Sequence, residues 1–165
     1  MATTITNATL TVTLTESISL NGSEQGATNS FTISAIDEVY KRILTCPANV
    51  DTTVLRTGVT ADVTDSSLDV QDVKYIRITN KDDTNSVNLN LQIDVTESGS
   101  GASAANETAT ILLAAGESFI MGTPHDSIAV YDADASVQTT LHDLESLLVD
   151  PGSNAVDVEV FSASV

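Results

Sequence analysis

Few residues in the sequence could carry chemistry. There are two histidines, His125 and His142, one cysteine, Cys46, and several pairs of acids. Acid–base or nucleophilic catalysis needs a positioned imidazole, thiol or carboxylate pair. His125 follows Gly122-Thr-Pro124 in a turn-like context. His142 adjoins Asp143, and neighbours in sequence usually point apart, so 142–143 does not read as a dyad; both imidazoles are expected at the surface. Cys46 has Lys41 and Arg42 upstream but ends a β-prone run just before Pro47, a context that favours packing over reactivity. A single thiol makes no internal disulfide and fits a reducing site of synthesis. No Gly-x-Ser-x-Gly elbow, phosphate-cradling glycine loop or His-rich metal spacing occurs in the sequence.

The acids invite a calcium test. Asp62 with Asp65, Asp69 with Asp72, Asp82 with Asp83, and Asp132 with Asp134 could offer oxygens to Ca²⁺. An EF-type loop needs oxygen ligands at positions 1, 3 and 5, glycine at 6 and glutamate at 12. Counted from Asp132, the glycine is missing and position 12 is Asp143. Solvated turn acids are the expected reading. No catalytic, cofactor-binding or metal-ligating residues are therefore assigned, and no cofactor is expected.

The elements that would position any site follow period-two alternation. Leu10, Val12, Leu14, Ile18 and Leu20 alternate with Thr and Ser, predicting a long strand with one buried and one wet face. Asn21-Gly22 reads as a turn, because both residues tolerate positive φ. Phe31 and Ile33 resume the alternation, and 39–46, 50–57, 73–79, 87–95, 128–131 and 156–161 are further strand candidates. Two more β-prone pieces lie within 108–121, around Ala115-Gly116. The polar segment 80–85 predicts a β-hairpin joining 73–79 to 87–95. Residues 97–107, rich in Gly, Ser and Ala, predict a flexible loop. Leu141, Leu144, Leu147 and Leu148 lie at helical spacing between Thr139-Thr140 and Pro151-Gly152, so a short helix near 139–148 and another strand both stay open. Short strands separated by polar turns predict an all-β, single-domain β-sandwich or jelly-roll-like fold over 1–165, with 1–9 available as an extended N-terminal arm.

Charge narrows the partners. The chain has 165 residues, 6 Lys+Arg against 23 Asp+Glu, and a formal net charge of −17. Phosphate-backbone binding needs clustered bases, and anionic membranes repel such a chain, so neither nucleic acid nor membrane is an expected partner. The N-terminus lacks the basic region and apolar run of a secretory signal, and no run reaches the ~18 apolar residues of a membrane span. All six bases fall between Lys41 and Lys81, whereas Asp82 to Val165 holds 14 acids and no base. A cationic strip and an acidic half would make a two-signed monomer suited to a fixed orientation in an assembly. High net charge for solubility alone is the competing explanation.

Several segments resemble small virion proteins of tailed phages. They are Val73-Lys-Tyr-Ile-Arg-Ile-Thr-Asn80, then Asp83-Thr-Asn85 with Val87-Asn-Leu-Asn-Leu91, then Ala115-Gly-Glu-Ser-Phe119, and the closing Glu159-Val-Phe-Ser-Ala163. The opening run Leu10 to Gly22 is similar to those of marine cyanobacterial phages. The resemblance covers most of the chain, and its motifs are structural rather than catalytic. It implies a non-enzymatic virion component made in the host cytoplasm and binding other virion proteins and copies of itself. A capsid decoration or cement protein comes first, and a tail or neck ring protein second. A carbohydrate- or calcium-binding β module is a remoter alternative.

Overall fold

The computed structural model describes residues 6–58, 68–95, 105–130 and 137–165. Every regular element among them is a strand: β1 (Ala8–Thr15), β2 (Ser19–Leu20), β3 (Ser23–Glu24), β4 (Thr28–Ile36), β5 (Glu38–Cys46), β6 (Thr52–Gly58), β7 (Leu68–Asp69), β8 (Val73–Asn80), β9 (Val87–Val95), β10 (Ala105–Leu113), β11 (Ser118–Met121), β12 (Asp143–Asp150) and β13 (Val156–Ser164). A five-stranded sheet runs β10-β9-β12-β6-β7, and a four-stranded sheet runs β11-β8-β13-β5. All pairings are antiparallel except the short β6–β7 contact.

The two sheets share one core, which makes the fold a β-sandwich. Ile76 and Ile78 of β8, Val156, Val158 and Val160 of β13, and Cys46 of β5 meet Val87, Leu89 and Leu91 of β9 and Leu144, Leu147 and Val149 of β12. Phe119 and Met121 pack against this cluster from β11. Glu117 stays exposed, and its carboxylate accepts the Ala114 N–H at 3.0 Å. Gly116 occupies φ +75°, the left-handed region that favours glycine in this tight reversal.

Two expectations are corrected and one open choice is settled. First, 73–79 and 87–95 do not form a hairpin. β8 and β9 lie in opposite sheets, and the polar segment between them carries the chain across. A hairpin would have set Ile76, Ile78, Leu89 and Leu91 within a single sheet; the crossing lets them cover each other. Asn80 anchors the crossing from a fully buried position. Its Nδ2 donates to the carbonyls of Asn85 at 2.8 Å and Leu113 at 3.3 Å, and its Oδ1 accepts the Asp82 N–H at 3.0 Å.

Second, 143–150 is strand β12, which settles the open choice over the leucine-rich segment against a helix. Its helix-like spacing comes from a bulge: along β9 the partner of Leu144 is Ile93 and that of Ser146 is Gln92, so Glu145 is an extra residue. A bulge shifts the alternation by one. It brings Leu144 and Leu147, three apart, to the same buried side, followed by Val149, while Leu148 remains half-exposed. Third, Leu10 to Leu20 is not a strand with a buried face. Within that run only Val12 is buried, and Leu14, Ile18 and Leu20 are 47%, 56% and 61% exposed.

Other boundaries shift less. Residues 50–57 become β6 at Thr52–Gly58, whereas the described part of the expected strand 128–131 is no strand and makes only an isolated bridge from Ile128 to His142. Of the expected loop 97–107, residues 105–107 open β10; the rest lies outside the described residues, as do 1–5 of the expected arm.

The bulge register yields a test. Leu147→Ala should cost about 2–5 kcal/mol in urea unfolding, and Leu148→Ala less than half of that. Equal losses would contradict the bulged strand. The crossing turn yields another. The Asp82 carboxylate accepts the N–H of Asn85 at 2.6 Å and of Thr84 at 2.8 Å, and these bonds hold its pKa below the ordinary 3.8. A depressed folded-state pKa stabilises above the unfolded value and is lost as pH falls through the folded one. Asp82→Ala should therefore lower the melting temperature at neutral pH, with the gap to the parent closing only below the ordinary carboxylate range.

Candidate functional site

Residues 8–36 carry a run of exposed apolar side chains, Leu14, Ile18, Leu20 and Phe31. β1 pairs with β4 from Thr15↔Thr28 to Ala8↔Ile36, and β2 pairs with β3 around Asn21-Gly22. Asn21 at φ 53° and Gly22 at φ 79° make the tight reversal expected there. The two ribbons form one long β-hairpin arm. Between them the Glu24 carboxylate accepts the N–H groups of Gly26 at 2.8 Å and Ile18 at 3.0 Å, and these bonds lower its pKa.

Alternation gives the β1–β4 ribbon two unlike faces. Thr13 and Ser30 share a hydrogen bond at 2.9 Å on the hydroxyl-bearing face. The opposite face carries Leu10, Val12 and Leu14 beside Phe31 and Ile33. Its base docks on the outer side of the four-stranded sheet, where Val12 and Ile36 pack with Tyr75 and Ala163 in a second, smaller core. Phe31 lies 6.5 Å from the Tyr75 ring, which meets Phe161 edge-on at 5.9 Å. Burial pushes the Tyr75 phenol up, against an opposing effect of Arg77. Beyond Val12 the apolar side opens to solvent: Leu14 is 47% exposed.

A groove of about 380 Å³ runs along this junction, lined by Leu10, Leu14, Ile120, Tyr75 and Phe161, with Lys41 and Arg77. Lys41 and Arg77 sit opposite Phe161 on its two neighbouring strands, hence on one face. Both reach Glu159: Arg77 through a hydrogen-bonded ion pair, and Lys41 at 3.6 Å. The Arg77 guanidinium also lies 5.8 Å from the Phe161 ring centroid. Two cations on one carboxylate leave the groove with a net positive charge. The expected single cationic strip does not form, however. Arg56 lies on β6 in the other sheet, Lys81 follows β8 in the crossing turn, and Lys74 donates to the Gln71 carbonyl.

The residues whose types could carry chemistry lie in different surroundings. Cys46 is fully buried, and burial raises its thiol pKa, which keeps it protonated in the core. Asp69 and Asp82 are occupied in turns, accepting the N–H groups of Gln71 and of Thr84 with Asn85. Asp62, Asp65, Asp132 and Asp134 lie outside the described residues. His142 bridges to Ile128 through its backbone. His125, 18 positions away, is the imidazole that meets Asp143, its Nδ1 at 2.8 Å from Oδ1. No local spacing announces this pairing; it exists because the segment after Pro124 folds onto the start of β12, with the Leu144 N–H on the Pro124 carbonyl.

No protein-family model, curated protein or solved structure matches the chain.

The docking of the arm is testable by hydrogen exchange. Tyr75→Ala should remove the wedge between Phe31 and Phe161 and cost about 3 kcal/mol or more. Amides of β1 and β4 should lose protection while those of β9 and β12 keep it. Uniform loss across both would mean that the arm and the sandwich are one cooperative unit.

Proposed function

We propose that the chain is a non-enzymatic structural protein of a tailed-phage virion, first of all a capsid decoration protein bound to the shell in many copies. The observation that carries the reading is the hairpin arm. A two-stranded ribbon is marginal in water by itself, yet this one extends beyond its docked base with Leu14, Ile18 and Leu20 exposed. Such an arm gains most when a neighbouring surface covers it. A standard interface buries ~1,600 Å², and the arm with the groove beneath it offers the apolar anchors and charged rim of such contacts. The acid-rich stretch from Asp82 onward supplies an orienting charge. The segments that resemble virion proteins support the same reading: Ala115 to Phe119 and Glu159 to Ala163 do structural work, as a reversal and a central strand. Its partners are the major capsid protein and further copies of this chain, and its place is the virion assembled in the host cytoplasm.

Binding to capsids tests this. Purified capsids stripped of the protein should lose heat resistance, and the recombinant chain should restore it at hundreds of copies per particle. A Leu14→Ser/Ile18→Ser/Leu20→Ser variant should fold, melt within a few degrees of the parent and fail to restore resistance. Closed rings that label only tail ends would replace the decoration reading with the neck or tail alternative. Equal activity of the variant would remove the arm from the contact.

A further inference from the structure

His125, Asp126 and Asp143 each offer one ligand atom, all within 4.8 Å of one another, the one such group among the described residues. Two elements supply them, the turn after Pro124 and the first residue of β12. Backbone bonds seat the turn on the strand: Ser127 N–H to the His142 carbonyl at 3.0 Å, and His142 N–H to the Ile128 carbonyl at 2.8 Å.

Asp143 organises the cluster. Its Oδ1 lies 2.8 Å from His125 Nδ1 and accepts the Asp126 N–H at 2.7 Å. With the Nδ1–H donated to Asp143, a neutral imidazole keeps its lone pair on Nε2. Asp126, at φ 46°, turns its carboxylate toward that same nitrogen and brings Oδ2 to 3.4 Å from Nε2. In that tautomer neither atom has a proton to share, and the pair is two lone-pair donors 3.4 Å apart. A tetrahedral cation with bonds of ~2.0–2.1 Å holds neighbouring donors about 3.3 Å apart. A carboxylate behind an imidazole is also how zinc-binding histidines are oriented. The side chains of His125 and Asp126 are 38% and 69% exposed, against 25% for Asp143, so the donors face solution and the organiser lies deeper.

We propose that His125 Nε2 and Asp126 Oδ2 form a Zn²⁺ site, backed by Asp143 and completed by water. Imidazole with carboxylate suits Zn²⁺, whereas Ca²⁺ prefers six to eight oxygens. Bound Zn²⁺ would lock His125 and Asp126 together within the 124–128 turn, which Asp143 ties to β12 through its hydrogen bonds. The inference stands apart from the virion reading, since neither needs the other.

Calorimetry on the full chain with Zn²⁺ alone, in a non-coordinating buffer at slightly alkaline pH, tests it. One Zn²⁺ should bind per chain, unmoved by millimolar Ca²⁺. The ring proton resonances of His125 should shift on addition, and those of His142 should not. His125→Ala and Asp126→Asn should each abolish binding, Asp143→Asn should weaken it by about 10–100-fold, and His142→Ala should leave it unchanged. Circular dichroism melts without metal would confirm that each variant is folded. Absence of Zn²⁺ binding by the parent overturns the proposal. So does undiminished binding by His125→Ala, or an equal loss in His142→Ala.

Discussion

The whole molecule depends on one constraint: the apolar rows of its strands must be covered from across the interior, not from alongside. The four-stranded sheet presents Ile76, Ile78, Val158 and Val160, and the five-stranded sheet presents Leu89, Leu91, Leu147 and Val149. Neither set can leave water unless the other closes over it. From β5 to β13 the chain accordingly changes sheet at nearly every connection; β9–β10 is the antiparallel pair that follows directly in sequence. Each crossing brings backbone polar groups close to the core, and these need partners. Asn80 is the clearest case, a buried amide that ties the β8–β9 crossing to the end of β10 through the Leu113 carbonyl.

The same constraint explains why the arm differs from the rest. Sheet-on-sheet burial is spent within the sandwich, and only a small second core is left for the outer side of β8 and β13. Tyr75 and Phe161, with Arg77 laid over the latter, give the arm a base to stand on but not a surface long enough to cover it. The exposed leucines and isoleucine beyond Val12 follow from that shortage of covering surface. So does the separation between a stable scaffold and a contact element, an economical arrangement for a protein whose proposed work is adhesion.

At the opposite kind of site, small numbers matter. One carboxylate, Asp143, orients an imidazole and fixes a turn in the left-handed region at Asp126. Geometry of this sort depends on the seating of residues 124–128 against β12, so the cluster and the central strand of the five-stranded sheet are mechanically one unit.

The strands themselves were legible in the sequence because side-chain direction alternates along any extended chain whatever surrounds it; Val87 to Val95 and Val156 to Phe161 needed nothing else. The Asn21-Gly22 reversal was readable locally too, because both residues tolerate positive φ. What a strand pairs with is not local. The hairpin expected across 80–85 became a crossing because Asn80 and the facing rows are stabilised by residues from β10, β12 and β13. The leucines at 144 and 147 mimicked a helix because a bulge against β9 adds one residue to the repeat, and bulges are set by the partner strand. His125 and Asp143 met for a reason that no spacing records: separate segments were packed together by a core to which neither belongs. Sequence alone determined which stretches extend and which face of each is oily, since that is written in the order of the side chains; which face meets which, and so which polar groups are left side by side, was decided only when distant strands closed over one another.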